Sequence, residues 1–360
     1  MDKQEFLAEL KRISQETYAL IGEFLKKQPY LTEAGLAEIT GCYLRHPGKA
    51  LRPALVTFAC QATGGTEEQS RYAAASVEMF HTWTLMADDI IDHDDFRRGQ
   101  PAAHVQAVSL AQQALGIAGD SAQEFGRGLA MLGSNALEGL AGQMLARTPA
   151  ASEQVLALVT RMYGKLNPEL LSGEQMDVRL SYVPWEDVRE SEIIEMMRLK
   201  TGALLAFCAE TGAAIGSGLV IADPPQGLLA ALGRFATLCG LAFQLSDDLL
   251  GVFGDAQFGK PIGSDIREGK RTLLMLRTLT RLTDSDRRQM LGILGNSAAS
   301  DAEIEHARWL IQQTNAEQEV RGTAEAYVAE AIELLHAQLP PSHGRDCLEA
   351  WANVMVARKV

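Results

Sequence analysis

The sequence predicts an all-α protein built as a single large helical bundle. Apolar residues recur every three or four positions along most of the 360 residues, as between Leu228 and Leu245. The strict alternation of apolar and polar residues that is typical of strands is nowhere sustained. The breaks are short and none resembles an interdomain linker. We therefore expect one domain over residues 1–360, with its active-site cavity between core helices.

The segments with this helical period end at short turns rich in Gly, Pro or Ser. In chain order they are 2–27, 31–45, 52–63, 67–92, 125–146, 152–164, 186–214, 225–250, 272–282, 303–314 and 318–338. No clear repeat of fixed length accompanies them, which disfavours a helical solenoid.

The charge balance excludes one broad class of partner. With 46 acidic and 33 basic residues the net charge is −13, so no sequence-wide basic surface for nucleic acid exists. Neither a targeting segment nor a membrane span is predicted, because the apolar stretch 201–222 is broken by Glu210 and four glycines. The cysteines lack metal-binding spacing, which predicts reduced, buried thiols in a cytoplasmic protein. They are Cys42, Cys60, Cys208, Cys239 and Cys347.

Two groups of aspartates stand at the C-terminal ends of apolar helices, where the helix dipole disfavours negative charge. Asp88 and Asp92 are four residues apart, so both project from one face of a helix. Asp247 and Asp248 form the second group. Hard oxygen ligands suit Mg²⁺, which typically bridges carboxylates to phosphate oxygens. The two groups therefore predict a magnesium-dependent site for a phosphate ester.

Basic residues recur in short, distinctive settings along the same chain. They are Lys49 and Arg52 in GKALRP, Arg97 and Arg98 after the first aspartates, Lys200 in RLKTG, Lys260 in FGKPIG, and Lys270 in EGKRT. Each alone is typical of a surface residue, but their recurrence around two carboxylate groups favours binding of phosphate groups.

These motifs resemble those of the trans-isoprenyl diphosphate synthases in both order and spacing. The matching segments are GKALRP at 48–53, DDIIDHDDFRRG at 88–99, LKTG at 199–202 and FQLSDDLLGVFGDAQFGKPIGSDIREGKRTLL at 243–274. The resemblance implies an isoprenoid synthase-like fold and a homodimer. It also implies head-to-tail condensation of isopentenyl diphosphate with an allylic diphosphate, the dimethylallyl, geranyl or farnesyl ester.

The resemblance further implies a role for each motif residue. Asp88 and Asp92 would hold two Mg²⁺ ions on the allylic diphosphate, and Asp247, helped by Asp248, would complete a set of about three ions. Arg97, Lys200 and Lys260 would contact this diphosphate, with Thr201 and Gln244 nearby. Lys270 is a further implied substrate-binding residue. Isopentenyl diphosphate, which needs no metal, would be bound by Lys49, Arg52, His81 and Arg98. No side chain is assigned as general base, since released diphosphate takes the proton.

Three positions depart from the family pattern. Gly251 stands where some relatives have a third aspartate, and Asp255 would serve only as a helix-end or water-mediated partner. Glu174 stands at the glutamine of a GQxxD-like segment, and Gly133-Ser134 stands where a Gly-Asp pair is expected. These departures affect the geometry of the site rather than the class of reaction.

Product length is predicted from the helix that carries the first aspartates. Trp83 lies five residues before Asp88, roughly 7.5 Å along the helix, and Phe80 lies a further turn away. In the resembled family a bulky residue at this place, followed by a small one such as Thr84, is typical of geranylgeranyl diphosphate synthases. Farnesyl diphosphate is the alternative product.

Three other functions remain open from sequence alone. The pairs Glu303/His306 and Glu333/His336 could belong to a di-iron bundle, but each lies one residue off its apolar seam and should face solvent. A terpene cyclase shares the magnesium chemistry without needing the isopentenyl site. A non-catalytic helical partner subunit would not need two intact aspartate groups.

Overall fold

The computed structural model describes residues 1–31, 35–254 and 263–356. In this part of the chain nearly all regular structure is helical, which confirms the all-α prediction. The helices are α1 Lys3–Lys26, α2 Leu36–Thr40, α3 Leu51–Ala62, α4 Glu67–Ile91, α5 Ala103–Leu115, α6 Asp120–Leu145, α7 Ser152–Arg161, α8 Asn167–Tyr182, α9 Glu190–Met197, α10 Ala203–Ser217, α11 Gly227–Phe253, α12 Ser264–Glu268, α13 Leu273–Arg281, α14 Asp284–Ile293, α15 Asp301–Gln312, α16 Ala316–Gln338 and α17 His343–Val356. Two short antiparallel strands, Phe96–Arg97 and Gln100–Pro101, form a hairpin after α4.

The chain divides into two compact units. The first unit comprises Met1–Met162, Cys208–Leu229 and Ser342–Cys347. The second comprises Tyr163–Phe207, Ala230–Pro341 and Leu348–Val360. The assignment of residues 1–360 to one domain stays a prediction.

Helix α4 is central to the first unit and packs against α3 and α6, while α5 packs on α6. It begins at a capping box, in which Thr66 accepts from the backbone of Gln69 and the Gln69 side chain accepts from the Thr66 backbone. Small buried residues such as Ala73 and Ala74 line its packed face, so neighbouring helices can approach closely. The helix ends at Ile91 with Asp92 as its C-cap, which places the first aspartates at its C-terminal end.

In the second unit, residues 198–202 form a π-helical turn between α9 and α10, and this turn packs against α8. Helix α13 packs on α16, and α14 on α15. Short helix α12 lies between Gly263 and Gly269, both of which have positive φ angles. Residues with a side chain rarely adopt that backbone conformation, so these glycines allow the tight entry and exit of α12.

Several predicted boundaries differ from the structure. The segment predicted at 31–45 contains only the short helix α2 and the single turns Pro29–Leu31 and Tyr43–Arg45, while residues 32–34 lie outside the described part. Helices α5, α8, α12, α14 and α17 were not predicted. Helix α5 buries only alanines, and α8 buries few apolar side chains, so neither produces a clear period of large apolar residues.

Among the described residues one helix, α11, is long and apolar enough to cross a membrane by length and composition alone. Its most apolar window is 61% buried inside the protein, as expected of a helix in a protein core. The acidic break in the stretch 201–222 also has an internal role, because Glu210 is buried and forms an ion pair of 2.6 Å with Arg161. All five cysteines are buried and none forms a disulfide, as predicted.

Candidate active site

Three neighbouring aspartates at the end of α4 differ in their exposure to solvent. Asp88 is partly exposed and Asp92 is exposed, so these two carboxylates are accessible from solvent. Asp89 is completely buried and accepts hydrogen bonds from the Tyr43 hydroxyl and from Arg97. Burial raises the pKa of Asp89, against the opposing effect of these hydrogen bonds. Asp89 therefore anchors the helix end, while its neighbours can reach a ligand.

Arg97 is brought to this cluster by the hairpin that follows α4. Its guanidinium group bonds Asp89 and lies 3.6 Å from Asp88 and 3.5 Å from Asp94. The next residue, Arg98, has a positive φ angle of 54°, which turns it away from its neighbour. The two adjacent arginines therefore lie in different surroundings. The contact of Arg97 with diphosphate stays a prediction.

A basic group forms around the first turn of α3. Arg52 Nη1 lies 3.0 Å from His81 Nε2, and the Nε atom of Arg52 is buried without a hydrogen-bond partner among the described residues. Arg98 Nη1 donates to the His46 carbonyl at 2.9 Å. Gly48 touches the Arg98 guanidinium so closely that a Cβ atom there would lie 2.6 Å from it. Three of the four residues assigned to isopentenyl diphosphate therefore lie near the GKALRP turn, and Lys49 follows Gly48 in the chain.

The ring of His81 lies among positive charges. Burial, together with Arg52, Arg98 and Arg97, lowers the pKa of His81 well below its usual range. The imidazole is therefore neutral at pH 7 in the protein without bound anion. A neutral ring can accept one hydrogen bond and donate another, which suits a contact with either a guanidinium group or a phosphate.

We expect His81→Gln to make the protein less sensitive to acid. Below an ordinary histidine pKa of about 6.5 the unfolded chain binds a proton that folded His81 excludes. The free energy of unfolding therefore decreases as the pH is lowered, by up to about 1.4 kcal/mol per pH unit. The variant should lose this contribution. Melting temperatures at pH 7.5 and 5.5 test it, with the exposed His336→Gln as control. Equal falls in melting temperature for wild type and His81→Gln would contradict the assignment.

The second pair of aspartates lies on α11. Asp248 is buried; its Oδ1 accepts from Gln244 Nε2 at 3.3 Å, and its Oδ2 has no hydrogen-bond partner among the described residues. Burial raises the pKa of Asp248 well above its usual range, and the nearby charge of Asp265 raises it further. The Gln244 amide in turn accepts from the Thr201 hydroxyl at 3.3 Å, so the structure brings these predicted residues together.

Gly251 leaves room for a carboxylate that sequence reasoning missed. A Cβ atom at Gly251 would lie only 2.1 Å from Asp265 Oδ2, so a third aspartate on α11 could not fit beside Asp265 as it stands. Asp265 is buried on α12, and Lys270 Nζ lies 3.8 Å from its Oδ1. Its position in GSDIREGK, inside the longest matching motif, was the available signal. Asp255 and Lys260 lie outside the described residues.

Lys200 is paired with acidic residues of α8. Its Nζ lies 2.6 Å from Asp177 Oδ2 and 3.0 Å from Glu174 Oε2. The glutamate that replaces the family glutamine thus provides a second negative charge for this lysine. The predicted contact of Lys200 with diphosphate requires a ligand to compete with both carboxylates.

The residues proposed to limit product length lie inside the first unit. Phe80 and Trp83 are buried, with ring centroids 4.8 Å apart. The Ser134 hydroxyl donates to the Trp83 carbonyl at 3.2 Å, which ties α6 to α4 at this point. Thr84 is half-buried, and its hydroxyl donates to the His81 carbonyl at 2.8 Å. The third departure from the family pattern therefore contacts the residue with the largest predicted effect on product length.

The aspartates of the two groups are better suited to Mg²⁺ that is shared with a substrate than to a metal ion held by protein ligands alone. Across residues 1–31, 35–254 and 263–356 no three His, Cys, Asp or Glu side chains form a group that could hold a metal ion. Mg²⁺ is usually held by one or two carboxylates together with substrate phosphates and water. The exposed carboxylate of Asp92 in the first unit, and the unpartnered oxygen of Asp248 in the second, are each suited to this kind of binding.

The residues of the di-iron alternative do not form a metal site. Glu303 caps the start of α15 through Ser300, and His306 bonds Gln289. Glu333 and His336 are exposed, as their position off the apolar seam predicted. His336 bonds a surface glutamate on α17. These contacts account for both pairs without a metal.

Comparison with known proteins decides the family. A family model described as polyprenyl synthetase matches residues 33–311, most of the chain. This chain belongs to the polyprenyl synthetase family. The family match includes every motif on which the resemblance was based, from GKALRP to GKRT.

Relatives of this chain are similar to it over most of their length. A short chain isoprenyl diphosphate synthase of Methanocaldococcus jannaschii is 34% identical over 262 residues, 72% of this chain and 71% of that protein. The geranylgeranyl diphosphate synthase of Sulfolobus acidocaldarius is 31% identical, with 80% of each chain covered. The crystal structure of geranylgeranyl pyrophosphate synthetase from Pyrococcus horikoshii matches with a TM-score of 0.83 at 28% identity, over 99% of each chain. The enzyme of Corynebacterium glutamicum, complexed with isoprenyl diphosphate and magnesium, matches with a TM-score of 0.82 at 27% identity, over 100% of each chain.

Proposed function

We propose that this chain is a magnesium-dependent trans-prenyltransferase that condenses isopentenyl diphosphate with an allylic diphosphate, mainly to geranylgeranyl diphosphate. The observation that carries the proposal is that the first unit contains two chemically different groups, one of carboxylates and one of basic side chains. Asp88 and Asp92 offer carboxylates for metal-bound diphosphate, whereas Arg52, His81 and Arg98 offer a metal-free basic group. A terpene cyclase would not need the basic group. Several relatives are named geranylgeranyl diphosphate synthases, which supports the twenty-carbon product.

Different residues would bind the two substrates, and those proposed for the allylic diphosphate act through Mg²⁺. In the first unit Asp88 and Asp92 would hold Mg²⁺. In the second unit Asp247 would do so, with Asp248 and Asp265 as further oxygen donors. Bound Mg²⁺ would neutralise negative charge on the departing diphosphate and so favour ionisation of the allylic substrate.

Binding of the second substrate needs no metal in this proposal. Arg52, His81, Arg98 and Lys49 would hold isopentenyl diphosphate by its phosphates, which keeps its double bond in place for attack on the allylic carbon. The proton then leaves to the released diphosphate, so no side chain acts as general base.

A single assay tests the reaction class. The purified protein is supplied with Mg²⁺ and dimethylallyl, geranyl or farnesyl diphosphate, with and without isopentenyl diphosphate. We expect chain elongation only when isopentenyl diphosphate is present, and none in EDTA. Cyclic hydrocarbons formed without isopentenyl diphosphate would identify a terpene cyclase. No turnover with any primer would indicate a non-catalytic partner subunit.

Trp83→Ala should shift the products toward longer chains. The side chain is buried against Phe80, and the cavity left by a truncated aromatic is usually only partly refilled, which gives a growing chain more room. Chromatography of dephosphorylated products measures the shift, and Trp309→Ala, at a half-exposed surface tryptophan, is the control. An unchanged length distribution in active Trp83→Ala enzyme would place the limiting residue elsewhere. A wild type that stops at farnesyl diphosphate would favour the alternative product.

A cytoplasmic homodimer is the proposed form of the enzyme. Large apolar side chains are exposed on α5 and α6 of the first unit, namely Leu115, Phe125, Met131 and Leu132. Phe125 and Leu132 are seven residues apart and share one face of α6, which supports a protein–protein contact there. Light scattering should give the mass of a dimer for wild type, and Leu132→Glu should shift it toward the monomer. A monomeric wild type at micromolar concentration would contradict the proposal.

A further inference from the structure

A buried tyrosine on α1 connects three parts of the first unit. The Tyr18 hydroxyl donates to Glu78 Oε1 at 2.5 Å, and the Tyr18 hydroxyl oxygen accepts from the Gly48 backbone N–H at 2.9 Å. Arg98 Nη1 lies 3.4 Å from it. Tyr18 and Glu78 are both buried. One hydroxyl thus joins helices α1 and α4 to the turn before Lys49 and to an arginine of the hairpin.

The direction of these hydrogen bonds follows from the chemistry of the pair. A phenol has one proton to donate, and the Glu78 carboxylate can only accept. Glu78 therefore accepts the hydrogen bond from the Tyr18 hydroxyl, and the oxygen of Tyr18 keeps acceptor capacity toward the Gly48 N–H and the Arg98 guanidinium. Burial, followed by the charge of Glu78, raises the pKa of Tyr18 above its usual range, so the hydroxyl keeps its proton.

The turn held in this way has little freedom of its own. Gly48 lies against the Arg98 guanidinium, and its carbonyl accepts from Ser14 Oγ at 3.1 Å. Ala50, at the start of α3, has a positive φ angle of 49°, which a residue with a side chain adopts at a cost. The contacts from α1 therefore fix both the N–H and the C=O of Gly48, immediately before Lys49.

Glu78 also supplies negative charge to this basic group. It lies one helical turn before His81 on α4, and its charge acts favourably on Arg52. A buried carboxylate among cations is stabilised only if it is hydrogen bonded. Tyr18 provides such a bond, so the two side chains depend on each other.

We propose that Tyr18 and Glu78 form one positioning pair, which holds the Gly48–Lys49 turn and Arg98 in the geometry that binds isopentenyl diphosphate. The inference rests on the proposed function and names two residues outside the recognised motifs. Neither residue needs to touch the substrate. The pair should therefore affect the binding of one substrate and leave the other unchanged.

Tyr18→Phe removes the hydroxyl and little else. We expect the KM for isopentenyl diphosphate to rise about tenfold, the effect of roughly 1.4 kcal/mol, with kcat and the allylic KM within about twofold of wild type. Calorimetry with isopentenyl diphosphate in EDTA should show the same loss of affinity without metal or turnover. Tyr72→Phe, which alters a surface tyrosine of α4, is the matched control. An unchanged KM for isopentenyl diphosphate, or equal rises for both substrates, would overturn the proposal.

Glu78→Gln tests whether the two residues act together. The amide keeps the size of the carboxylate but can also donate, so the direction of the Tyr18 hydrogen bond is no longer fixed. We expect the KM for isopentenyl diphosphate to rise at least about threefold in wild type, but not further in the Tyr18→Phe background. No effect in wild type, or equal effects in both backgrounds, would show that Glu78 does not act through Tyr18.

Failure of this inference is distinguishable from failure of the proposed function. Wild-type protein without prenyltransferase activity would refute the function itself. Active wild type with an unaffected Tyr18→Phe variant would refute only the positioning pair.

Discussion

Replacing Asp88 by Ala is expected to lower turnover by about three orders of magnitude or more while helical content stays unchanged. Asp88 is a partly exposed carboxylate at the C-terminal end of α4, on the same face as Asp92. Without a metal ion its charge is unfavourable at that helix end. The fold should not need it, because the neighbouring Asp89 keeps its hydrogen bonds with Arg97 and Tyr43.

The rate of product formation at saturating Mg²⁺ measures turnover, and circular dichroism measures helical content. Asp95→Ala is the control, since its carboxylate lies in the same acidic segment but is 71% exposed and lies 3.8 Å from His104 Nε2. Asp247→Ala should give a loss comparable with that of Asp88→Ala. Near-normal turnover of Asp88→Ala would exclude Asp88 as a metal ligand.

Arg52→Ala should raise the KM for isopentenyl diphosphate by about a hundredfold, the effect of roughly 2.7 kcal/mol, and the allylic KM far less. Arg52 Nη1 bonds His81, and its Nε atom is buried without a partner in the described part of the chain. Such an atom is costly unless a ligand completes its hydrogen bonding. A diphosphate, rich in acceptor oxygens, would do so.

Initial rates with each substrate varied in turn separate the two KM values. Arg45→Ala is the matched control, because Arg45 is an exposed arginine in the turn before GKALRP whose Nη1 bonds the Glu38 carbonyl. It should leave both values near wild type. A larger effect of Arg52→Ala on the allylic substrate would contradict the assignment of GKALRP to isopentenyl diphosphate.

The fold class, the family and the class of reaction follow from the amino-acid sequence alone. Helical period is a local property, so long segments with large apolar residues, such as α4 and α11, were predicted nearly to their ends. The spacing of Asp88 and Asp92 likewise follows from helix geometry alone. Local signals failed where α5 buries only alanines and where α8 buries few apolar side chains.

Tertiary packing determines which of the motif residues are exposed, which are buried, and which side chains support them. Asp88 and Asp89 are adjacent in sequence, yet Tyr43, 46 residues away, takes one of them into the core. Asp265 fills the space at Gly251, and Tyr18 fixes Gly48, through contacts between different helices. No local pattern encodes such contacts, because they depend on which side chains packing brings together, and burial then sets the pKa and hydrogen bonding of each group.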